Sequence, residues 1–453
     1  MAVTQAYRFA LDPRPDQVEA FLSHCGGRRF AFNHMLALVK ANLSQRDAER
    51  SYGLAETDLT MVPDWSAYGL RKLWNRRKAA AAPWWRENSK EAYASGCADL
   101  AAALRNWTES RNGRRAGRPV AFPRFKSRRS RLSCGFTTGI IRIEPDRRHV
   151  TLPKLGSIRT HESTRKLARH LDRGTGRILS ATLSLGRGGR WFVSFTCEIE
   201  RADKPLKRPA AVVGVDLGIK NLAVLSTGES VPNPRSLEEA RQQLRRSSRR
   251  LARRRAPDPK AGIPGSGRWE RARRDLNRLH AKVANRRADA MHKLTTRLAS
   301  TFGTIVVEDL HAAGMLKNRR LARHIADASF GEVRRQLAYK TAWRGGNLVV
   351  ADRWLPSSKT CSGCGAVKAK LRLSERTYRC GHCGLVVDRD LNAARNLANL
   401  IAGFDLELPG EEKTARQKPR KTSPAGSGIA AGRPPDREAN ADTARRRLDF
   451  RVL

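Results

Sequence analysis

Hydrophobic positions along the chain switch between two periods. Val3 to Ala10 is rich in β-formers and ends in a Pro-containing turn at Asp12–Pro15, which predicts a strand. From about Asp16 to Asn112 the spacing becomes helical: Val18, Phe21 and Leu22 share a face, as do Phe32, Met35, Leu36 and Val39. Leu70, Leu73 and Trp74, then Ala98, Leu100, Leu104 and Trp107, continue the pattern. After a basic loop at Arg111–Pro119 come short apolar runs, Ile140–Ile143, Val150–Leu152, Ala181–Leu185 and Trp191–Ile199, each broken by Gly or charge. The prediction is a small β-barrel or sandwich from residues 1–15 and 120–203, with a helical domain, 16–119, inserted into it.

The second half reads differently. Beyond a linker at Lys204–Pro209, the run AVVGVDLGIKNLAVLSTGE predicts two strands and a tight turn. Basic helices over Ser236–Arg255 and Arg268–Ser300 flank the Pro/Gly stretch Pro257–Gly267. TIVVEDL predicts a buried strand, Asp327–Arg344 a helix, Leu348–Ala351 a strand and Leu391–Ile401 a closing helix with the apolar stripe Ala393, Ala394, Leu397, Leu400 and Ile401. An α/β domain over 204–360 and 384–403, interrupted by a cysteine-rich insert at 361–383, fits this order. Past Phe404 periodicity stops and Pro, Gly, Lys, Arg and Ala dominate, so 404–453 reads as a disordered basic tail. No internal repeat of 20–50 residues is visible.

Charge narrows the function. Among 453 residues, 89 Lys and Arg against 43 Asp and Glu leave a formal charge of +46. Such a chain repels itself unless a polyanion neutralises it. No apolar run approaches a membrane span and the start lacks a signal-peptide core, so nucleic acid rather than membrane is the expected partner. The eight cysteines make no disulfide scaffold, and a cytoplasmic setting is expected. The basic helices place Leu237, Leu244 and Leu251 seven apart, and Leu276, Leu279, Val283, Leu294 and Leu298 stripe the second. This predicts a leucine-packed hairpin sheathed in arginine that lies against phosphates. The helical domain's tryptophans read mainly as core, Pro83-Trp84-Trp85-Arg86 being the exception.

Three acidic residues stand out against so basic a background. In VVGVDLG, a period of two puts Val213, Val215 and Leu217 on one face and Gly214, Asp216 and Gly218 on the other. Asp216 is then a strand carboxylate between two bare positions, which would let an anion or a metal come close to the backbone. Glu308 ends TIVVE near the strand's C-terminal edge, with Asp309 on the opposite face as a structural competitor. Asp390 opens the last helix, where a lone Asp is ordinarily an N-cap. Carboxylates from separate elements are what two-metal phosphodiester hydrolysis requires.

Cys361-x2-Cys364 and Cys380-x2-Cys383 have the spacing of a four-thiolate zinc site, and Gly363, Gly365, Gly381 and Gly384 supply the tight turns. Four protein ligands leave no open position, so the zinc is expected to be structural. It should stiffen the ribbon and help to place Asp390. Cys25, Cys97, Cys134 and Cys197 fall within apolar patterns and read as core.

GVDLGIKNLAVLSTGE, then VEDL, then CSGCG…YRCGHCG just before DRDLNAARNL, resembles the RuvC-type nuclease of the TnpB family encoded by insertion sequences, to which type V CRISPR effectors are similar. AYRFALDPRPDQ, FPRFKS and VTLPKLGSIR extend the likeness toward the N-terminus. The resemblance implies an α/β RNase H-like nuclease domain with Asp216, Glu308 and Asp390 as catalytic ligands of Mg2+ or Mn2+, Asp388 being the runner-up for the third place. It implies a zinc ribbon on Cys361, Cys364, Cys380 and Cys383. It also implies a guide RNA from the element end, a double-stranded DNA target, and a wedge-like barrel and helical recognition domain that read the flanking motif and the guide–target duplex. A monomer in the prokaryotic cytoplasm, associated with the nucleoid, is the expectation. A transposase or recombinase, a compact CRISPR effector and a cleavage-dead RNA-guided blocker are the competing readings.

Overall fold

The computed structural model describes residues 2–201, 205–258, 261–372 and 374–402; the predicted tail at 404–453 lies outside them. The described residues divide into two compact units, one within Met1–Asp203 and Leu251–Ala281, the other within Lys204–Arg250 and Lys282–Leu453.

In the first unit, β1 (Ala2–Ala10) pairs antiparallel with β7 (Trp191–Glu200) along its whole length, from Ala2 opposite Glu200 to Ala10 opposite Phe192. β7 continues to β6 (Gly176–Leu185) and β6 to β2 (Ser133–Phe136), a four-stranded sheet that carries the N-terminal strand at one edge. Trp191, Val193, Phe195, Cys197 and Ile199 alternate inward along β7, as a sheet with one covered face requires. A second sheet joins β3 (Arg142–Ile143), β4 (His149–Leu152) and β5 (Gly156–Arg159), and a bridge between Leu11 and Thr160 ties the β1 end to it. One short helix, α4 (Arg165–Asp172), lies between the apolar runs that the sequence marks as strands.

Between β1 and β2 come α1 (Pro15–Ser51), α2 (Ala67–Ala81) and α3 (Lys90–Arg111). Their shared core holds Phe32, Met35, Leu36, Val39, Leu70, Trp74, Leu100 and Leu104 as expected from the helical period, joined by Tyr93, whereas Leu22, expected on one face with Val18 and Phe21, is 44% exposed. Gly96 permits the contact of α1 with α3, because a Cβ there would lie 2.3 Å from the Arg28 carbonyl oxygen. Pro83–Glu87 forms a 3-10 turn that leaves Trp84 37% exposed while Trp85 packs against this core. Cys25, Cys97, Cys134 and Cys197 are all buried, as expected of core residues.

The second unit is built on a five-stranded sheet in the order β10-β9-β8-β11-β12. Its members are β8 (Arg208–Asp216), β9 (Asn221–Leu225), β10 (Ser230–Pro232), β11 (Phe302–Glu308) and β12 (Asn347–Ala351). β8, β11 and β12 run parallel, and β9 and β10 return antiparallel to their neighbours. Val213, Val215, Ile305 and Val307 face a core shared with Met291, Leu294 and Leu298 of α6 (Gly267–Thr301) and Val333 and Leu337 of α9 (Phe330–Ala342). The other face, through Val212, Val306, Val349 and Ala351, meets Leu397 of α10 (Arg389–Ala402). α5 (Ser236–Ala252) precedes α6, with Leu244 buried and Arg245, Arg246 and Arg249 exposed. The helix predicted over Asp327–Arg344 follows two short helices, α7 (Ala312–Met315) and α8 (Ala322–Ala328). It starts only at Phe330, because Ser329 breaks away from α8 in the left-handed region at φ 49°.

A ribbon with β13 (Thr377–Arg379) and β14 (Val386–Asp388) separates β12 from α10. In α10, Ala393, Ala394 and Leu397 are buried as predicted, but Leu400 and Ile401, placed in the same stripe from sequence, are 44% and 46% exposed. No helix among the described residues is long and apolar enough to cross a membrane.

Candidate functional site

Register sets two of the acidic residues on adjacent strands. Val215 pairs with Val307 across the parallel β8–β11 ladder, so Asp216 and Glu308, each one residue further on, end adjacent strands about 4.8 Å apart. Both fall on the face of Gly214 and Val306, the face that α10 covers. Gly214 explains how α10 arrives there. A Cβ at that position would lie 1.9 Å from the Ala394 carbonyl oxygen and 2.6 Å from the Ala398 nitrogen. The bare position beside Asp216, read from sequence as room for an anion or metal, is thus filled by helix backbone. One turn before Ala394, the same helix presents Asp390.

The capping role suggested for Asp390 belongs to Asp388. Its Oδ1 accepts hydrogen bonds from the backbone nitrogens of Asp390 (2.9 Å) and Leu391 (3.1 Å). Asp388 is exposed, whereas the Asp390 side chain is 17% exposed. With the cap supplied two residues earlier, Asp390 is free to face the sheet. Its carboxylate lies 3.2 Å from Arg389 and 3.8 Å from Arg376. Glu308 Oε1 accepts a 2.5 Å hydrogen bond from Ser357 Oγ, a contact with no signal in the sequence. Asp309, the competitor, is held away by Arg334 and Arg353, both at 2.5 Å. Burial, then the charges of Glu308 and Asp390, push the Asp216 carboxyl up to about 8. A carboxylate in that position lacks a positive neighbour sufficient to offset its surroundings, and a divalent cation would supply one. The all-oxygen donor set suits Mg2+ or Mn2+.

Among the described residues, the four cysteine sulfurs are the one set of three or more potential ligands within 4.8 Å of one another. Cys361 to Cys383 and Cys364 to Cys380 are each 3.6 Å apart, close to the ~3.8 Å that tetrahedral Zn–S bonds of ~2.3 Å impose. The backbone nitrogens of His382 and Cys383 donate to Cys380 Sγ at 3.4 Å. Those donors, Cys383 first, hold the Cys380 thiol down at about 6. The residues fit zinc. Of the four knuckle glycines, Gly365 and Gly384 take positive φ (75° and 73°), which is where glycine is needed. Asn392 and Asn396, one turn apart on α10, clasp the ribbon's entry. Asn392 accepts from Ser362 N at 2.9 Å and donates to Thr360 O at 2.6 Å. Asn396 donates to the carbonyls of Ser357 and Thr360, both at 2.7 Å. Ser357 therefore joins the helix of Asp390 to the carboxylate of Glu308.

With three parallel strands extended by two antiparallel ones and helices on both faces, the second unit is an α/β fold that gathers acidic residues at one end of its sheet. Among solved structures, a Cas12f1–sgRNA–target DNA complex matches with a TM-score of 0.50 at 12% identity, covering 88% of this chain and 99% of that one. A family described as a probable transposase matches residues 194–319, and the Cas12f1-like TNB domain matches 330–397. A protein of Mycobacterium tuberculosis named "Putative RNA-guided DNA endonuclease Rv2885c" is 40% identical over 444 residues, 94% of this chain and 92% of that one. InsQ of Escherichia coli, whose name carries the same description, is 30% identical over 90% of this chain and 94% of that one. The chain belongs to the TnpB-like family of RNA-guided DNA endonucleases. A family described as a helix-turn-helix domain also matches residues 1–47. Here that segment is a strand followed by a single uninterrupted helix.

Proposed function

We propose that this chain cuts double-stranded DNA under the direction of a guide RNA, by metal-dependent phosphodiester hydrolysis with Asp216, Glu308 and Asp390 as the metal-holding carboxylates. The observation that carries this reading is the β8–β11 register together with the seating of α10 on Gly214, which brings three acids distant in sequence to one end of one sheet. Bound Mg2+ or Mn2+ supplies Lewis-acid activation of water and stabilisation of the leaving oxygen. Asp216, whose carboxyl is pushed up to about 8, would give up its proton on becoming a ligand. Glu308 is held in one orientation by the Ser357 hydroxyl. Arg389 and Arg376 pair with Asp390, which would complete the set of residues that hold the cations.

In this reading residues 361–383 form a structural zinc ribbon whose clasp with α10 fixes the third acid. Residues 204–360 and 384–403 form the nuclease domain. The two linked sheets of residues 1–15 and 120–203 serve as a wedge-like barrel, and 16–119 as the recognition helices that meet the flanking DNA motif and the guide–target duplex. The exposed arginines of α5 lie against phosphates. The protein acts as a monomer in the prokaryotic cytoplasm, on the nucleoid.

The test is to purify the chain with RNA transcribed from its own element end and assay a matched target in Mg2+. Guide-dependent cleavage by the wild type, lost in Asp216→Ala, Glu308→Ala and Asp390→Ala, is expected. Undiminished cleavage by Asp216→Ala refutes the assignment. Tight guided binding without any nick would instead make the protein an RNA-guided blocker.

A further inference from the structure

The protein has nine tryptophans, and eight of them touch another ring or a cation. Trp65 and Trp107 meet each other, Trp74 and Trp84 meet Tyr93, Trp191 meets Phe21 and Trp343 meets Tyr339. Trp85 lies under Lys78 and Trp269 under Arg273. Among the described residues Trp354 alone has neither kind of partner, and it is 84% exposed.

Its position is not that of a loose surface residue. β12 ends at Ala351, the register partner of Glu308, and Trp354 follows three residues later, within ~11 Å of chain. Every neighbour in that segment is fastened. Asp352 Oδ1 accepts from Trp354 N at 2.7 Å, and Asp352 O accepts from Leu355 N at 3.2 Å, closing the turn. Arg353 is tied to Asp309, beside Glu308. Leu355 packs with Val306, Ala351 and Leu397 beneath the sheet. Ser357 is 4% exposed, held by Asn396 and bonded to Glu308. A turn anchored on both sides thus presents one large flat side chain to solvent at the carboxylate end of the sheet. Exposing an indole this way forgoes its burial, and the anchored backbone leaves only the side chain's own rotamers for a ligand to order on stacking.

We propose that Trp354 is a stacking platform for a nucleobase of the DNA strand being cut, next to the scissile phosphate. An aromatic face holds any base, so it would fix the strand's position over the carboxylates without imposing sequence, which a guided enzyme leaves to base pairing. The inference rests on the nuclease reading above and adds a residue that holds substrate rather than metal.

The experiment uses the guide-loaded full chain, as wild type, Trp354→Ala and Trp354→Phe, on targets with single abasic sites placed on either side of the cut. Trp354→Ala should slow cleavage about 5- to 100-fold at saturating target, with guided DNA binding unchanged and Trp354→Phe restoring most of the rate. One abasic position should slow the wild type by a similar factor and slow Trp354→Ala no further. Wild-type rates in Trp354→Ala, losses that multiply, or no sensitive abasic position would overturn the proposal. So would loss of zinc or a lowered melting temperature in Trp354→Ala, since the residue would then be structural. The nuclease reading fails separately, if the wild type does not cut or Asp216→Ala still does.

Discussion

Replacing Asp216 by Asn should stabilise the magnesium-free protein while abolishing cleavage. The buried carboxyl, crowded by Glu308 and Asp390, keeps its proton to about pH 8, against an ordinary 3.8 in the unfolded chain. Between those values the folded state binds more protons than the unfolded one, so stability falls as pH rises through this window. The difference at pH 7 corresponds to about 4 kcal/mol at ~1.4 kcal/mol per tenfold change in proton affinity. Side-chain relaxation and water entry reduce that to roughly 2 kcal/mol, or about 4–8 °C in the melting temperature of a unit this size. Calorimetry of zinc-loaded protein, in buffer without Mg2+ and without chelator, at pH 5.5 and pH 8 provides the comparison. Wild type should lose stability toward pH 8 and regain it on adding Mg2+, whereas Asp216→Asn should show a flatter profile and a much smaller Mg2+ response. Parallel pH profiles, or equal Mg2+ shifts in the two proteins, would refute the reasoning, because Asp216 would then be neither the enclosed proton nor a principal ligand.

Gly214→Ala should destabilise the second unit by about 3 kcal/mol or more, measured by denaturant unfolding, because its Cβ meets α10 backbone that cannot yield as a side chain could. Ser357→Ala should reduce the cleavage rate about 5- to 30-fold with guide binding intact, and Ser357→Thr should recover most of it, since both hydroxyls can donate to Glu308. Cys380→Ser should lower bound zinc, measured by elemental analysis, and make the 361–383 segment sensitive to limited proteolysis, because the ribbon has only a small core around Tyr378. Retention of a full zinc equivalent by that variant would contradict the four-thiolate assignment.

Local sequence was sufficient for whatever depends on neighbours in the chain. Alternation in VVGVDLG identified which face of β8 carries Asp216, and the two CxxC pairs named the zinc ligands, since a knuckle is set by a few residues and their turns. The helical stripes of α1 to α3 were equally legible. Charge alone pointed to nucleic acid, because no folding can hide a formal +46. What periodicity could not supply was the order of strands, and with it the placement of Glu308 beside Asp216, because register is decided by pairing between segments about ninety residues apart. It could not separate Asp388 from Asp390 either: either carboxylate suits a helix start, and only the hydrogen bonds from the backbone of Asp390 and Leu391 assign the cap to Asp388. The meaning of Gly214 changed for the same reason, as did the end of the α10 stripe, where the sheet is no longer there to cover Leu400 and Ile401. Ser357 and Trp354 left no trace in any pattern. Their significance comes from where a rigid turn ends, which is a property of the packed sheet and helix and not of the residues themselves.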